Sequence, residues 1–262
     1  MRSDLPRPDL IFETLTKRFG ATVALDEVSF AVPPGAVTAL VGPNGSGKTT
    51  LMRVALGLAR PTSGQALVAG RPYRRLDAPL TRIGAMLNAS AVNPALTGRT
   101  HLRWLAAAGG IDPAPVDALL EQVGLGSAAR RRVGGWSLGM RQRLGVAVAL
   151  LGDPPILMLD EPMNGLDPQG LVWFRGLVHR LRDEGRTVLV SSHLMGELEG
   201  LADRVVVIHH GRIAADADID SLLAGGARGA GSDLGSGSDP GGRPSLEDVY
   251  LSLVTSSALA RP

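Results

Sequence analysis

Gly42-Pro43-Asn44-Gly45-Ser46-Gly47-Lys48-Thr49-Thr50 follows the apolar run Val37-Thr38-Ala39-Leu40-Val41 and precedes Leu51-Met52-Arg53-Val54-Ala55-Leu56. The pattern is G-x-x-x-x-G-K-[ST], with a buried strand expected before it and a helix after it. Glycines at 42, 45 and 47 clear side chains from the path of an anion and permit backbone angles that other residues avoid. The freed N–H groups form an anion nest, and the positive end of the following helix faces it. Lys48 supplies a point charge for β- and γ-phosphates, and the Thr49 hydroxyl is placed to ligate Mg²⁺. Alone, the stretch says nucleoside triphosphate and nothing about how the energy is used.

Upstream, residues 9–41 read as strands. Val28, Phe30 and Val32 alternate with Ser29 and Ala31, the period of a half-buried strand. Pro33-Pro34-Gly35 turns the chain into the run before Gly42. Phe19, beside Gly20, is placed either to stack on adenine or to close a hairpin.

Downstream, Pro61-Thr62-Ser63-Gly64 reads as a turn and Ala66–Ala69 as a short strand. From about residue 94 to 153 the pattern becomes helical. Thr97 caps a helix bearing Leu102 and Leu105, Pro115–Val123 is a second helix ended by Gly124, and Leu138–Leu151 is a third. This stretch is expected to be a subdomain inserted into an α/β pattern. The alternation then resumes with the strand Ile156–Leu159. Next comes a helix with Pro168 behind the cap Asp167 and an apolar face of Leu171, Phe174, Leu177, Val178 and Leu181. A strand at Thr187–Val190, a helix from about 194 to 202 and a strand at Arg204–Ile208 follow. Residues 223–243 are rich in glycine and serine and read as a flexible linker. Residues 244–262 read as a C-terminal helix and tail, with Ser245 as cap and a stripe of Leu246, Val249, Tyr250 and Leu253 that docks on a surface.

Two further motifs carry chemistry. Asp160-Glu161 closes an apolar strand, so Asp160 can hold Mg²⁺ while Glu161 polarises an attacking water. In Trp136-Ser137-Leu138-Gly139-Met140-Arg141-Gln142-Arg143, Ser137 caps a helix whose start attracts phosphate. Two phosphate-binding devices on different subdomains fit two chains arranged head to tail, each nucleotide receiving one device from each chain. His193 follows the Thr187–Val190 strand through Ser191-Ser192; a lone histidine there is either a structural side chain or, given the Asp160-Glu161 strand before it and the helix after it, a contact to the γ-phosphate. His101, His179, His209 and His210 have no such context.

In this combination and order, the chain resembles the ATP-binding subunit of an ABC transporter over about residues 9–215. Walker A is Gly42–Thr49, and Walker B is Ile156–Asp160 followed by Glu161. The signature motif falls on Trp136–Met140, the D-loop on Asn164–Asp167 and the switch histidine on His193. The resemblance implies a P-loop NTPase cassette with a RecA-like core, an antiparallel β-subdomain and an inserted helical subdomain, spanning residues 1–222. It implies ATP and Mg²⁺ as ligands, with Glu161 and His193 catalytic, and Thr49, Asp160 and Asn88 at the metal. Phe19, Gly42, Pro43, Asn44, Gly45, Ser46, Gly47, Lys48, Thr49, Thr50, Asn88, Ser137, Leu138, Gly139, Met140 and Asp167 are then the nucleotide contacts. It also implies an ATP-sandwich homodimer bound to a separate polytopic permease, located in the cytoplasm on the inner face of the membrane. The variant signature and the ending Ser245–Leu251 are similar to the bacterial subfamily that exports drugs, antibiotics or lantibiotics. Three positions depart from the family pattern. Leu138 replaces a glycine and Met140 a glutamine in the signature, and Asn88 stands at the Q-loop glutamine.

Composition agrees with this reading. The 262 residues carry a net charge of +2 and no cysteine, which excludes a disulfide framework or thiolate metal site. The apolar stretches are shorter than a membrane span requires, and Met1–Pro6 lacks the apolar core of a secretion signal. Aromatic residues make up 3%, against the stacking platforms expected of a nucleic-acid binder. A non-transport ABC ATPase acting on nucleic acid or ribosomes is the alternative. The long coiled coil or paired cassettes usual there are missing from this sequence. A P-loop kinase would leave the second phosphate-binding helix unexplained.

Overall fold

The computed structural model describes residues 9–229 and 245–259. The chain opens with the antiparallel hairpin β1 (Leu10–Phe19) and β2 (Thr22–Val32), passes through β3 (Val37–Val41) into α1 (Lys48–Ala55), and returns through β4 (Ser63–Val68) and β5 (Ile83–Met86). Helices α2 (Gly98–Ala108), α3 (Val116–Gln122) and α4 (Leu138–Leu150) follow. The second α/β portion is β6 (Ile156–Leu159), α5 (Pro168–Asp183), β7 (Thr187–Ser192), β8 (Arg204–His209) and β9 (Arg212–Asp218). Helices α6 (Ile219–Gly229) and α7 (Leu246–Leu259) end it.

Two sheets result. β2-β1-β4 is a three-stranded antiparallel sheet, and β5-β6-β7-β3-β8-β9 is a six-stranded sheet, parallel except for β9. Every residue of β3, β6 and β7 is buried. That is why these strands read as continuous apolar runs, since a parallel sheet is covered on both faces. On one face Leu40, Met158, Leu189 and Val206 pack with α1 and the antiparallel sheet. On the other, Val41, Leu159, Val190 and Val207 share a core with α4, α5 and the helical segment.

The helical segment is present with the expected caps. The Thr97 side chain accepts from Thr100 N–H, and Ser137 from Met140 N–H. The far half of α4 nonetheless belongs to the main core. Gly84 of β5 lies so close to α4 that a Cβ would collide with the Ala149 carbonyl. The helix that begins at Ser137 therefore ends packed on the edge of the six-stranded sheet, so residue 153 marks no break in packing.

Several expectations need correction. Residues 194–202 form a single turn at Met195–Glu197 rather than a helix. Gly196 and Gly200, the latter at φ 73°, interrupt the segment before a second helical turn can form. Strands β5 and β9 escaped the sequence reading, because β5 is four residues long and β9 is mostly alanine and aspartate. Arg204 holds β9 through Asp216 at 2.8 Å and Asp218 at 3.5 Å. The linker expected over residues 223–243 starts instead as the end of α6, and its remainder, residues 230–243, lies outside the described residues. The docked C-terminal helix is present, and its surface is the chain's own core. Leu246 is 1% and Val249 4% exposed, both in the core that contains α5 and β7. The side chain of Leu253 lies outside the described part.

Candidate functional site

The loop between β3 and α1 is held by close approach. A Cβ on Gly42 would meet the Ile208 carbonyl of β8, and Gly47 takes φ 114° as the residue before α1. Only glycine serves both places. Gly47 offers no side chain to cap the helix. The amides of Lys48, Thr49 and Thr50 have no acceptor within the helix, as in any first turn. They stand available to an anion in front of Asn44 and Gly45, which are exposed. The Ser46 hydroxyl is buried among them without a hydrogen-bond partner, so the loop retains polar capacity that the protein alone does not satisfy.

Lys48 is 5% exposed. Its Nζ donates to the carbonyls of Gly42 at 2.6 Å and Pro43 at 3.2 Å, and lies 3.4 Å from Glu161 Oε1. The other carboxylate oxygen, Oε2, is 2.7 Å from His193 Nδ1. Glu161 thus bridges the lysine of the loop and the histidine after β7. Its backbone adopts φ 50°, which swings the side chain away from the strand direction that Asp160 continues. Asp160 is 7% exposed, and its Oδ2 accepts from the Thr49 hydroxyl at 2.5 Å. Two oxygens suited to a small hard cation therefore sit side by side. Among the described residues no group of three or more His, Cys, Asp or Glu could form a cage for a metal.

The remaining expected residues fall in four places. Ser137 and Leu138 are exposed at the start of α4, with Gly139 and Met140 behind them. This turn packs on its own chain's 164–167 segment, where a Cβ on Gly165 would strike the Leu138 side chain. Among the described residues no hydrogen bond joins residues 137–140 to the 42–50 loop. Asp167 caps α5 by accepting from Gly170 N–H at 2.7 Å. Phe19 ends β1 opposite Thr22, so it closes the hairpin, yet its ring remains 53% exposed under Lys17 Nζ at 4.6 Å. Both readings of this residue are compatible with its position.

Asn88 is exposed, and its side-chain carbonyl accepts from Ser90 N–H at 2.9 Å. The shorter amide is folded onto its own loop and is not joined to Thr49 or Asp160 by a hydrogen bond.

Two residues of the site went unassigned in the sequence. Gln142, 7% exposed on α4, donates to the carbonyls of Asn164 at 2.9 Å and Glu161 at 3.4 Å. Ser191, fully buried, contacts both Asp160 and Glu161. For Ser191 the available signal was a serine following an apolar strand; Gln142, between Arg141 and Arg143, gave none. Beyond His193, Glu197 Oε2 is buried without a hydrogen-bond partner. Burial pushes the Glu197 carboxyl up from its usual range, against the opposing pull of His193 and Arg175.

Known proteins resemble this chain in sequence and fold. The ABC transporter family profile matches residues 25–164. The lantibiotic transport ATP-binding protein SrtF of Streptococcus pyogenes is 37% identical over 80% of this chain and 91% of its own length. The bacitracin transport ATP-binding protein BcrA of Bacillus licheniformis is 41% identical over 79% of this chain and 69% of its own. A solved structure of an ATP-binding subunit of an ABC transporter superposes with a TM-score of 0.79 at 27% identity, covering 94% of this chain and 99% of that one. These transport relatives favour the transport reading over the nucleic-acid alternative. Among the described residues no helix is long and apolar enough to cross a membrane. The chain belongs to the ABC transporter family as an ATP-binding cassette, an ATPase subunit of a membrane transporter.

Proposed function

We propose that this cassette powers export of a lantibiotic- or bacitracin-like antibiotic through a separate polytopic permease, working as a homodimer in the cytoplasm against the inner face of the membrane. The relatives' names support the substrate class. The Glu161 carboxylate, held between Lys48 and His193 beside the Thr49–Asp160 pair, carries the chemistry.

The β- and γ-phosphates of ATP lie on the amides of residues 44–50, and Lys48 turns its ammonium from the Gly42 and Pro43 carbonyls to them. Phe19 stacks on the adenine. Thr49 and Asp160 hold Mg²⁺, which when bound offsets charge on the phosphate oxygens. Glu161, released from Lys48 by the phosphate, accepts a proton from the attacking water. His193 keeps the Glu161 carboxylate oriented and faces the γ-phosphate. Because Ser137–Met140 sits on an exposed turn unconnected to its own loop, a second copy supplies that turn to each nucleotide, with its Asp167 segment alongside.

Purified Lys48→Ala and Ser137→Ala proteins, each inactive alone with permease, test this reading. Mixed, they form hybrids holding one intact composite site, and ATPase activity should reappear. No recovery would sink the shared-site model, and unchanged ATP affinity in Lys48→Ala would sink the phosphate loop. For the substrate, cells producing cassette and permease should gain lantibiotic or bacitracin resistance that Glu161→Gln abolishes. Equal sensitivity to both compounds would remove that substrate class.

A further inference from the structure

Ser191 is 0% exposed near the end of β7. Its hydroxyl has a single proton, given to Asp160 Oδ1 at 2.6 Å, and its oxygen receives the Glu161 N–H at 2.9 Å. One side chain therefore grips both consecutive carboxylate residues, each by a different part. Leu159 still pairs with Val190 in the parallel ladder. Asp160 N–H still donates to the Met86 carbonyl of β5, and the β6 chain turns out of the sheet at Glu161, which takes φ 50°. At that point the Ser191 side chain supplies the acceptor that a continuing ladder would have given to Glu161 N–H.

From this geometry we infer that Ser191 is a positioning residue for ATP hydrolysis, holding Glu161 in its left-handed conformation and fixing the rotation of the Asp160 carboxylate. The inference rests on the catalytic reading of Glu161 above. Non-glycine residues persist at positive φ only where their surroundings impose it. Here Ser191 holds the Glu161 backbone at its N–H, while Asn164 N–H and Gln142 meet the carbonyl on the far side of the turn. With Oδ1 engaged by Ser191, Asp160 presents Oδ2 toward Thr49. Loss of the hydroxyl leaves the partly buried Glu161 amide and a buried Asp160 carboxylate oxygen short of a partner together. The backbone relieves this by rotating, which carries the Glu161 carboxylate off the line between Lys48 and His193.

The test uses full-length cassette with its permease, comparing Ser191→Ala, Ser191→Thr and Glu161→Gln. Ser191→Ala should lower kcat by about tenfold to a hundredfold, the scale of a reacting group displaced by about an ångström. KM for ATP should stay within a few fold. Ser191→Thr, which keeps the hydroxyl, should recover most of the rate. In binding titrations, Mg²⁺ should strengthen ATP affinity less in Ser191→Ala than in the parent, because Asp160 has lost its fixed rotation. Adding Ser191→Ala to Glu161→Gln should cost less rate than it costs the parent, since the part of its effect that runs through Glu161 is already lost and only the part through Asp160 remains. If Ser191→Ala fails to fold, Ser191→Cys, a weak donor of similar size, gives the same contrast with threonine. Full kcat in Ser191→Ala beside a nearly inactive Glu161→Gln overturns the inference alone. Equal losses in kcat and ATP affinity, unrescued by threonine, overturn it as well. Undiminished hydrolysis in Glu161→Gln overturns the catalytic reading beneath it.

Discussion

His193 Nδ1 stands 2.7 Å from Glu161 Oε2, while Lys48 Nζ stands 3.4 Å from Oε1 of the same carboxylate. The loop after β3, the end of β6 and the end of β7 thus meet in one side chain. Glu161→Gln keeps the size of the group and removes its basicity. Hydrolysis should slow by at least about a hundredfold, with ATP affinity retained or improved because Lys48 loses a competing anion. His193→Ala should slow hydrolysis by a smaller factor, and the double variant should be little slower than Glu161→Gln. Single-turnover assays check this. Additive losses would show that His193 acts independently of Glu161.

Asn88 occupies the position that the family pattern gives to the glutamine between nucleotide site and helical segment. Its amide is engaged with Ser90 N–H, and it is neutral, so it adds little to ATP affinity beside Lys48 and the loop amides. Asn88→Ala should leave ATP affinity within a few fold but reduce permease-dependent ATPase and transport together. ATP titration and vesicle transport on the same protein decide this. Full transport would move the link between the two segments to another residue, with Gln142 next in line through its bonds to the Asn164 and Glu161 carbonyls.

His101 is 7% exposed on α2, and burial pushes its imidazole below the usual 6.5. The folded chain therefore binds this proton less readily than the unfolded chain does. Below pH 6.5 the unfolded state gains protons first, so stability falls as pH drops through the window between 6.5 and the lower folded value. Unfolding temperatures from pH 5 to 8 should show the parent losing stability at the acid end, with His101→Leu losing less. Parallel curves for the two proteins would assign the acid loss elsewhere.

The phosphate loop, the Asp160-Glu161 pair and the capped helices were legible because each is local. Glycine spacing, a cap three residues ahead of an amide, or an apolar run of four residues leaves its mark within a short window. What escaped depends on distant partners. Strand β5 is recognisable only beside β6, and Ser191 matters only because parallel pairing brings β7 level with the turn at Glu161. The bond between Asn88 and Ser90 is local, but the family pattern drew attention to a longer reach than asparagine has. The C-terminal stripe was visible, whereas its docking site on the chain's own core was not, because α6, β9 and the Met195–Glu197 turn assemble that surface.

That docking site gives the last prediction. A helix resting only on a partner could be removed without cost to the isolated cassette. Helix α7 instead places Leu246 and Val249 in the main core, and Leu246 N–H donates to Glu199 Oε1 at 2.7 Å. Tyr250 Oη lies 3.3 Å from His209 Nδ1. Leu246→Ala alone should cost about 2 kcal/mol or more, the range for truncating a buried leucine. For a domain of this size that lowers the unfolding temperature by roughly 5 °C. A chain ending at residue 243 should lose more. Helix α7 also borders a cleft of about 440 Å³ lined by Pro43, His193, Met195, Glu197, Glu247 and Tyr250. The turn after His193 therefore loses its cover in the truncated chain. Lys48 and the first turn of α1 are built without α7, so ATP should still bind with similar affinity while hydrolysis falls. Thermal unfolding, ATP titration and ATPase assays on the truncated protein give the three readings. An unchanged unfolding temperature would show that the tail is dispensable to the core, and lost ATP binding would show that the phosphate loop depends on it.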